Sequence, residues 1–205
     1  DTVYSLAADI AVCLNITPDH LDRHGSFDAY VRSKHRVYRN AKTLVYNLDD
    51  KLTHPKALAK SVSVSNTAND ADYHLLSKEG RPWLGQGKKP FFPVKDLKII
   101  GNHNVFNALT SCAVASSYGV PVKAIVEALK RFTGLKHRCE WIAEEQGVLW
   151  INDSKGTNVG AATAAIESFG KTIKGKVILV AGGIAKDADF TPLKNPVSAY
   201  VREVI

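Results

Sequence analysis

The 205-residue sequence has no methionine at all. It opens at Asp1 and stops at Ile205, each within a helix-like pattern, so the expectation is an internal piece of a longer protein. No run approaches the roughly 20 apolar residues that a membrane-spanning helix needs. No charged-then-apolar leader opens the chain, which leaves no secretory signal to read. No Lys/Arg run exceeds two residues, so there is no basic tract of the kind that grips nucleic acid. Cysteine is scarce: Cys13, Cys112 and Cys139 are far apart, odd in number and set among apolar residues. That excludes a disulfide framework and predicts buried free thiols in a reducing compartment. Without a leader, Asn15-Ile16-Thr17 and Asn152-Asp153-Ser154 are coincidental matches to the glycosylation pattern. A phosphate-gripping Walker A loop is missing too. Gly170-Lys171-Thr172 has its ending, but Ala165 stands where the first glycine belongs.

What is present is ordinary globular composition, with 45% apolar and 23% charged residues. The net charge of +7 serves solubility or an anionic ligand. Short apolar runs alternate with helical patterns. Strands are expected at Ile10–Ile16, Leu44–Leu48, Leu97–Ile100, Cys139–Glu144, Val148–Ile151 and Lys176–Val180. Helices are expected at Phe27–Tyr38, Asp49–Lys60, Asn104–Tyr118, Pro121–Phe132 and Thr157–Phe169, with another beginning near Leu193. Thr17 and Thr157 are candidate caps, with Pro18 at a first helical position. Val122, Ile125, Val126 and Leu129 are expected to face inward. The segment 61–94 reads as hairpins and loops. The fold class is therefore α/β. Thr133–Lys136 breaks the pattern, and the strand–helix–strand run after it reads as a Rossmann-like unit.

Five stretches carry candidate chemistry. In Asn15–Lys34, His20 and His24 are four residues apart, flanked by Asp19 and Asp22. A zinc hydrolase would place Glu after the first His, but Leu21 stands there. Capping with surface charge, or a metal or phosphate site at a strand's C-terminal end, remain open. Lys34 falls on the apolar helical face with Tyr30, Val31, Val37 and Tyr38. Burial favours a neutral amine, which can add carbon dioxide to form a carbamate suited to Mg²⁺; snorkelling is the plainer alternative. In Gly101–Ala108, Asn104 and Asn107 are one turn apart and can bind a base or phosphate, or cap the helix. In Gly134–Glu140, Arg138 is suited to phosphate. At Trp150–Gly170 a strand end presents Asp153, Lys155 and Thr157, residues fit for a ribose hydroxyl, a cation, a phosphate or a carboxylate. At Val180–Phe190 two glycines precede Lys186 in the same design.

Together and in this order, these motifs resemble the Mur ligases, most closely the branch that adds D-glutamate. The carrying residues are Asp19-His20-Leu21-Asp22-Arg23 with Lys34, then Gly101-x-His103-Asn104-x-x-Asn107, then Gly134-Leu135-x-His137-Arg138. Asn152-Asp153-Ser154-Lys155-x-Thr157-Asn158 and Gly182-Gly183-x-x-Lys186-x-x-Asp189-Phe190 complete the set. The resemblance implies that residues 1–134 are the later part of a P-loop-type ATPase central domain. Residues 135–205 are then the first part of a Rossmann-like, amino-acid-binding C-terminal domain. The implied activity joins D-glutamate to UDP-N-acetylmuramoyl-L-alanine through an acyl phosphate, using ATP and Mg²⁺, in a cytoplasmic monomer that binds neither membrane nor nucleic acid. His20 and carbamylated Lys34 would hold Mg²⁺. Asn104, Asn107, Arg138 and Asp153 would face ATP. Lys155, Thr157 and Lys186 would hold D-glutamate, with His20, Lys34, Lys155 and Lys186 as the catalytic set. The nucleotide loop is expected upstream, and the fragment alone is expected to be inactive. Ile184 departs from the polar residue expected after Gly182-Gly183. Alternatives are a diaminopimelate-adding or folylpolyglutamate-type relative, and a non-catalytic nucleotide- or anion-binding module.

Overall fold

The computed structural model describes residues 6–19, 21–56, 59–185 and 188–205. The chain divides into two compact units. The first comprises Asp1–Leu97 and Val105–Arg131; the second comprises Lys98–Asn104 and Phe132–Ile205.

The first unit is built on a six-stranded sheet. Its strands, in spatial and chain order, are β1 (Ile10–Cys13), β2 (Thr43–Asn47), β3 (Lys60–Val64), β4 (Tyr73–Lys78), β5 (Arg81–Gln86) and β6 (Lys89–Pro93). The first four run parallel; β4, β5 and β6 form an antiparallel meander. Parallel strands need apolar residues on both faces, because helices cover both. Ile10, Val12 and Val45 pack toward one core with Val105, Leu109, Cys112, Ile125 and Leu129. Ala11, Cys13 and Leu44 point the other way, to Ile16, Tyr30 and Tyr38. The first layer belongs to α3 (Asn102–Ser117) and α4 (Val122–Arg131), the second to α2 (Phe27–His35). A single-turn helix, α1 (Leu21–His24), precedes α2.

Several local expectations are corrected here. The first helix begins at Leu21 and not directly after Thr17-Pro18, and β1 ends at Cys13. Asp49–Lys60 is not a continuous helix: among its described residues only Lys51–Thr53 forms a 3₁₀ turn. Asp50 caps that turn through Leu52 N while its other oxygen holds Ile16 N, and Pro55 then denies a longer helix its amide. Leu97–Ile100 is no strand; after a 3₁₀ turn at Val94–Asp96 the chain runs directly into α3. Val122 is exposed at the start of α4, where the inward face begins with Ile125.

The second unit holds the hairpin β7 (Glu140–Glu145) and β8 (Val148–Asn152), turning at Gln146-Gly147 as expected. Then follow α5 (Val159–Thr172), β9 (Val177–Leu179), α6 (Lys194–Tyr200) and β10 (Val201–Val204). Because β8 pairs with β7, the parallel strand–helix–strand element here is β9–α6–β10. The chain therefore ends in strand and not helix. Gly170 lies near the end of α5 with Tyr200 against it, and a side chain there would collide with the tyrosine ring. This places Gly170-Lys171-Thr172 in helix, away from any phosphate loop. The three cysteines are free; Cys13 and Cys112 are buried and Cys139 half-buried.

Candidate functional site

Each unit brings part of the expected site to one place. In the first unit, the N-cap Ser26 accepts a hydrogen bond from Ala29 N and starts α2. The helix then presents Tyr30 inward. Lys34, one turn later, is exposed, which corrects the expectation that it is buried. Its Nζ stands 5.0 Å from the centroid of the Tyr30 ring. After His35 the chain tightens into a 3₁₀ turn, Arg36–Tyr38. Tyr38 is buried there, donating to Thr53 O at 2.7 Å, while Val37 is turned outward. Lys34 instead lines an open cavity of about 610 Å³ with Arg23, His24, Ser33, Arg36 and Arg39. The burial argument for a neutral amine is thereby lost. A carbamate here would place negative charge among arginines, a favourable setting for it. His24 packs edge-on to Tyr30 with ring centroids 5.2 Å apart. His20 lies outside the described residues.

In the second unit, backbone and side chains knit the segments 137–140 and 152–158 together. Asp153 Oδ1 accepts from Cys139 N at 3.0 Å, and Asp153 O accepts from Gly156 N at 2.8 Å. Lys155 N donates to His137 O at 3.1 Å. His137 N donates to Glu140 Oε2, and the Asn152 amide meets His137 Nδ1 at 2.9 Å. These bonds hold His137 and Cys139 at positive φ, 64° and 46°. Burial, together with the Asp153 carboxylate, pushes the Cys139 thiol up to about 12. The side chains of Arg138, Lys155 and Thr157 remain exposed on this frame. Helix α5 is capped by Asn158, whose Oδ1 accepts from Ala161 N at 2.8 Å, and not by the expected Thr157. The Thr157 hydroxyl is thus not committed to capping. Lys186 lies outside the described residues, and Ile184 is exposed.

Asn104 and Asn107 occupy the first turns of α3. Asn104 Nδ2 donates to Ile100 O at 2.8 Å, so this amide secures the loop before the helix; Asn107 is exposed. Sequence reasoning named His103 only within the Gly101-x-His103-Asn104 motif, without a role, and did not single out Ser168. Ser168 Oγ, on α5, accepts from Asn102 N at 3.0 Å. His103 Nδ1 is buried without a hydrogen-bond partner among the described residues. Burial lowers the His103 pKa, against the opposing pull of Asp153. The only local signal for His103 was its place between Gly101 and Asn104; its burial comes from tertiary contacts.

Known proteins give these arrangements a context. Residues 1–115 match the Mur ligase middle domain, and residues 137–205 match the Mur ligase, glutamate ligase domain. The chain is 43% identical over 210 residues to UDP-N-acetylmuramoylalanine–D-glutamate ligase of Legionella pneumophila, covering 100% of this chain and 47% of that protein. It is 44% identical over 209 residues to the Nitrosococcus oceani protein of the same name, covering 100% and 46%. The chain thus spans about half the length of these relatives. Among solved structures, MurF from Acinetobacter baumannii superimposes with a TM-score of 0.76 at 22% identity, covering 97% of this chain and 46% of that one. A bifunctional folylpolyglutamate synthase/dihydrofolate synthase gives 0.67 at 22%, covering 97% and 47%. These two likenesses show the fold, a mixed α/β arrangement shared with the middle and C-terminal domains of such enzymes. With the middle-domain match covering more than half of its length, the chain belongs to the Mur ligase family.

Proposed function

We propose that this chain is the ATP-side and amino-acid-side half of a ligase that joins D-glutamate to UDP-N-acetylmuramoyl-L-alanine. The observation that carries the reading is the 43% identity, over the whole chain, to relatives bearing that name. The proposed division is residues 1–134 for the central domain and 135–205 for the amino-acid domain. ATP would phosphorylate the substrate carboxylate, the D-glutamate amine would attack the acyl phosphate, and phosphate would leave. Such chemistry rests on positioning and on neutralising crowded phosphate charge.

The residue roles follow the frame described above. Asp153, fixed by Cys139 N, and exposed Arg138 reach toward nucleotide. Lys155 and Thr157, free of capping, face the D-glutamate carboxylates with Lys186. Asn104 and Asn107 serve the adenine side. Mg²⁺ takes few protein ligands and relies on phosphate oxygens and water. His20 and Lys34 as carbamate would hold it, because an ammonium has no lone pair to give. Bound there, it would supply charge neutralisation at the phosphates. The implied setting is the cytoplasm, where ATP is available; no helix among the described residues is long and apolar enough to cross a membrane.

The test uses the complete protein with ATP and UDP-N-acetylmuramoyl-L-alanine. Phosphate release is expected only when D-glutamate is added. Release that is indifferent to D-glutamate, or that follows another amino acid, sinks the proposal.

A further inference from the structure

A second cavity, of about 660 Å³, opens in the first unit between the end of α2 and the turn after β2. It lies within the size range of small-molecule sites. Its walls carry Arg32, Arg36, Arg39, Lys51 and Lys56. His35 and His54 add two ring edges, and the rest of the lining is Val31, Tyr38 and Leu52. No carboxylate lines it. None of the motifs assigned to ATP or D-glutamate contributes to it.

The nearest acids in the chain are spent elsewhere. Asp50 accepts from Ile16 N and Leu52 N. Asp49 accepts from Ser65 Oγ, Thr67 Oγ1 and Asn66 N. Asp28, one turn before Arg32, makes no ion pair with it. Arg32, Arg39, Lys51 and Lys56 therefore converge beside Arg36 with no ion pair of their own among the described residues. Convergent like charge raises the local potential and draws a multivalent anion more strongly than a monovalent one.

The wall is also ordered. His35 Nε2 meets Leu52 O at 2.6 Å and His54 Nε2 meets Leu48 O at 3.2 Å. Each ring thus donates from Nε2 to a carbonyl. Tyr38 donates to Thr53 O behind them and stacks edge-on with His35. The turn that carries Lys51 is tied to the 3₁₀ segment that begins at Arg36 and ends just before Arg39. Guanidinium forks suit pairs of phosphate oxygens, and lysines add point charge.

We propose that this pocket binds a small ligand carrying two or more linked phosphate groups. A single phosphate would leave most of these four cations uncompensated, whereas a diphosphate or triphosphate offers charge to more of them. The inference does not depend on the ligase reading.

The experiment is calorimetric titration of the 205-residue chain with inorganic pyrophosphate, ADP and sulfate at about 150 mM salt, where exposed long-range charge effects are largely screened. Saturable pyrophosphate binding, tighter than sulfate, is expected. Arg32→Gln with Lys51→Gln, two positions absent from the Lys34 cavity, is expected to weaken it about tenfold. Lys88→Gln with Lys89→Gln removes the same charge from the β5–β6 hairpin and is expected to change nothing. Equal weakening of ADP in the Arg32/Lys51 variant identifies a nucleotide-borne diphosphate; weakening of pyrophosphate alone identifies a free one. Should the pocket variant misfold, pyrophosphate-induced shifts of the His35 and His54 ring resonances in the unaltered chain serve instead. Absence of saturation, equal binding of sulfate, equal loss in the Lys88/Lys89 variant, or binding only to long polyanions such as RNA overturns the proposal.

Discussion

Replacing Gly101 by alanine tests the frame of the second unit most directly. Gly101 sits at φ 103°, which side-chain-bearing residues rarely adopt. Holding alanine there costs about 1–3 kcal/mol. The added Cβ would collide with Ser168 Oγ and lie 2.9 Å from His103 Cε1. Something must move, and Ser168 Oγ is the acceptor for Asn102 N at 3.0 Å. Losing that bond and stranding the amide adds about 1–3 kcal/mol. The expected total is about 2–6 kcal/mol, a large share of the ~5–15 kcal/mol by which domains are stable. Denaturant unfolding followed by a probe in the second unit measures it. The same measurement in a Ser168→Ala background separates the causes. Without Oγ the collision is relieved and the bond is already gone, so Gly101→Ala should cost at least about 1 kcal/mol less there. A cost under about 0.5 kcal/mol, or an identical cost in both backgrounds, would refute the reasoning.

Asn158→Ala should destabilise the second unit by about 1 kcal/mol, whereas Thr157→Ala should change stability by less than about 0.5 kcal/mol; equal losses in denaturant melts would return the cap to Thr157. The His103 ring should titrate below its ordinary value of 6.5 in an NMR pH series, because burial disfavours its charged form. Its unfolded form then binds more protons near pH 6.5, so this contribution to stability is full above that pH. It falls away as pH drops toward the folded pKa. His103→Gln should flatten that part of the stability profile, and an unchanged slope would contradict the assignment.

Much of the fold is legible in the residues themselves. Short apolar runs such as Ile10–Cys13 read as buried strands, and period two then sets which side chain meets which layer. Gln146-Gly147 marks its turn because both residues take positive φ. The five motifs identify the family because their order and spacing are carried by the chain itself. The candidate site was legible only as residue types: Arg138, Asp153 and Lys155 are named by motif, but their common frame needs Cys139 N and His137 O, distant in sequence from the 152–158 turn.

Other outcomes belonged to tertiary structure. Helical spacing puts Lys34 on the face of Tyr30, yet exposure depends on where the neighbouring layer ends. Tyr38 is buried at the end of the 3₁₀ turn that follows His35, whereas Lys34, still within α2, stands at a cavity rim. Likewise, 97–100 has an apolar pattern but no strand partner, and a strand exists only by pairing. Which of Thr157 and Asn158 caps α5 was set by the 152–156 turn that precedes them. Sequence alone determined periodicity, turn chemistry and family membership, which are local or linear properties. Burial of His103, exposure of Lys34 and the convergence of five cations beside Tyr38 were decided by tertiary structure, because each depends on distances between segments that no linear pattern encodes.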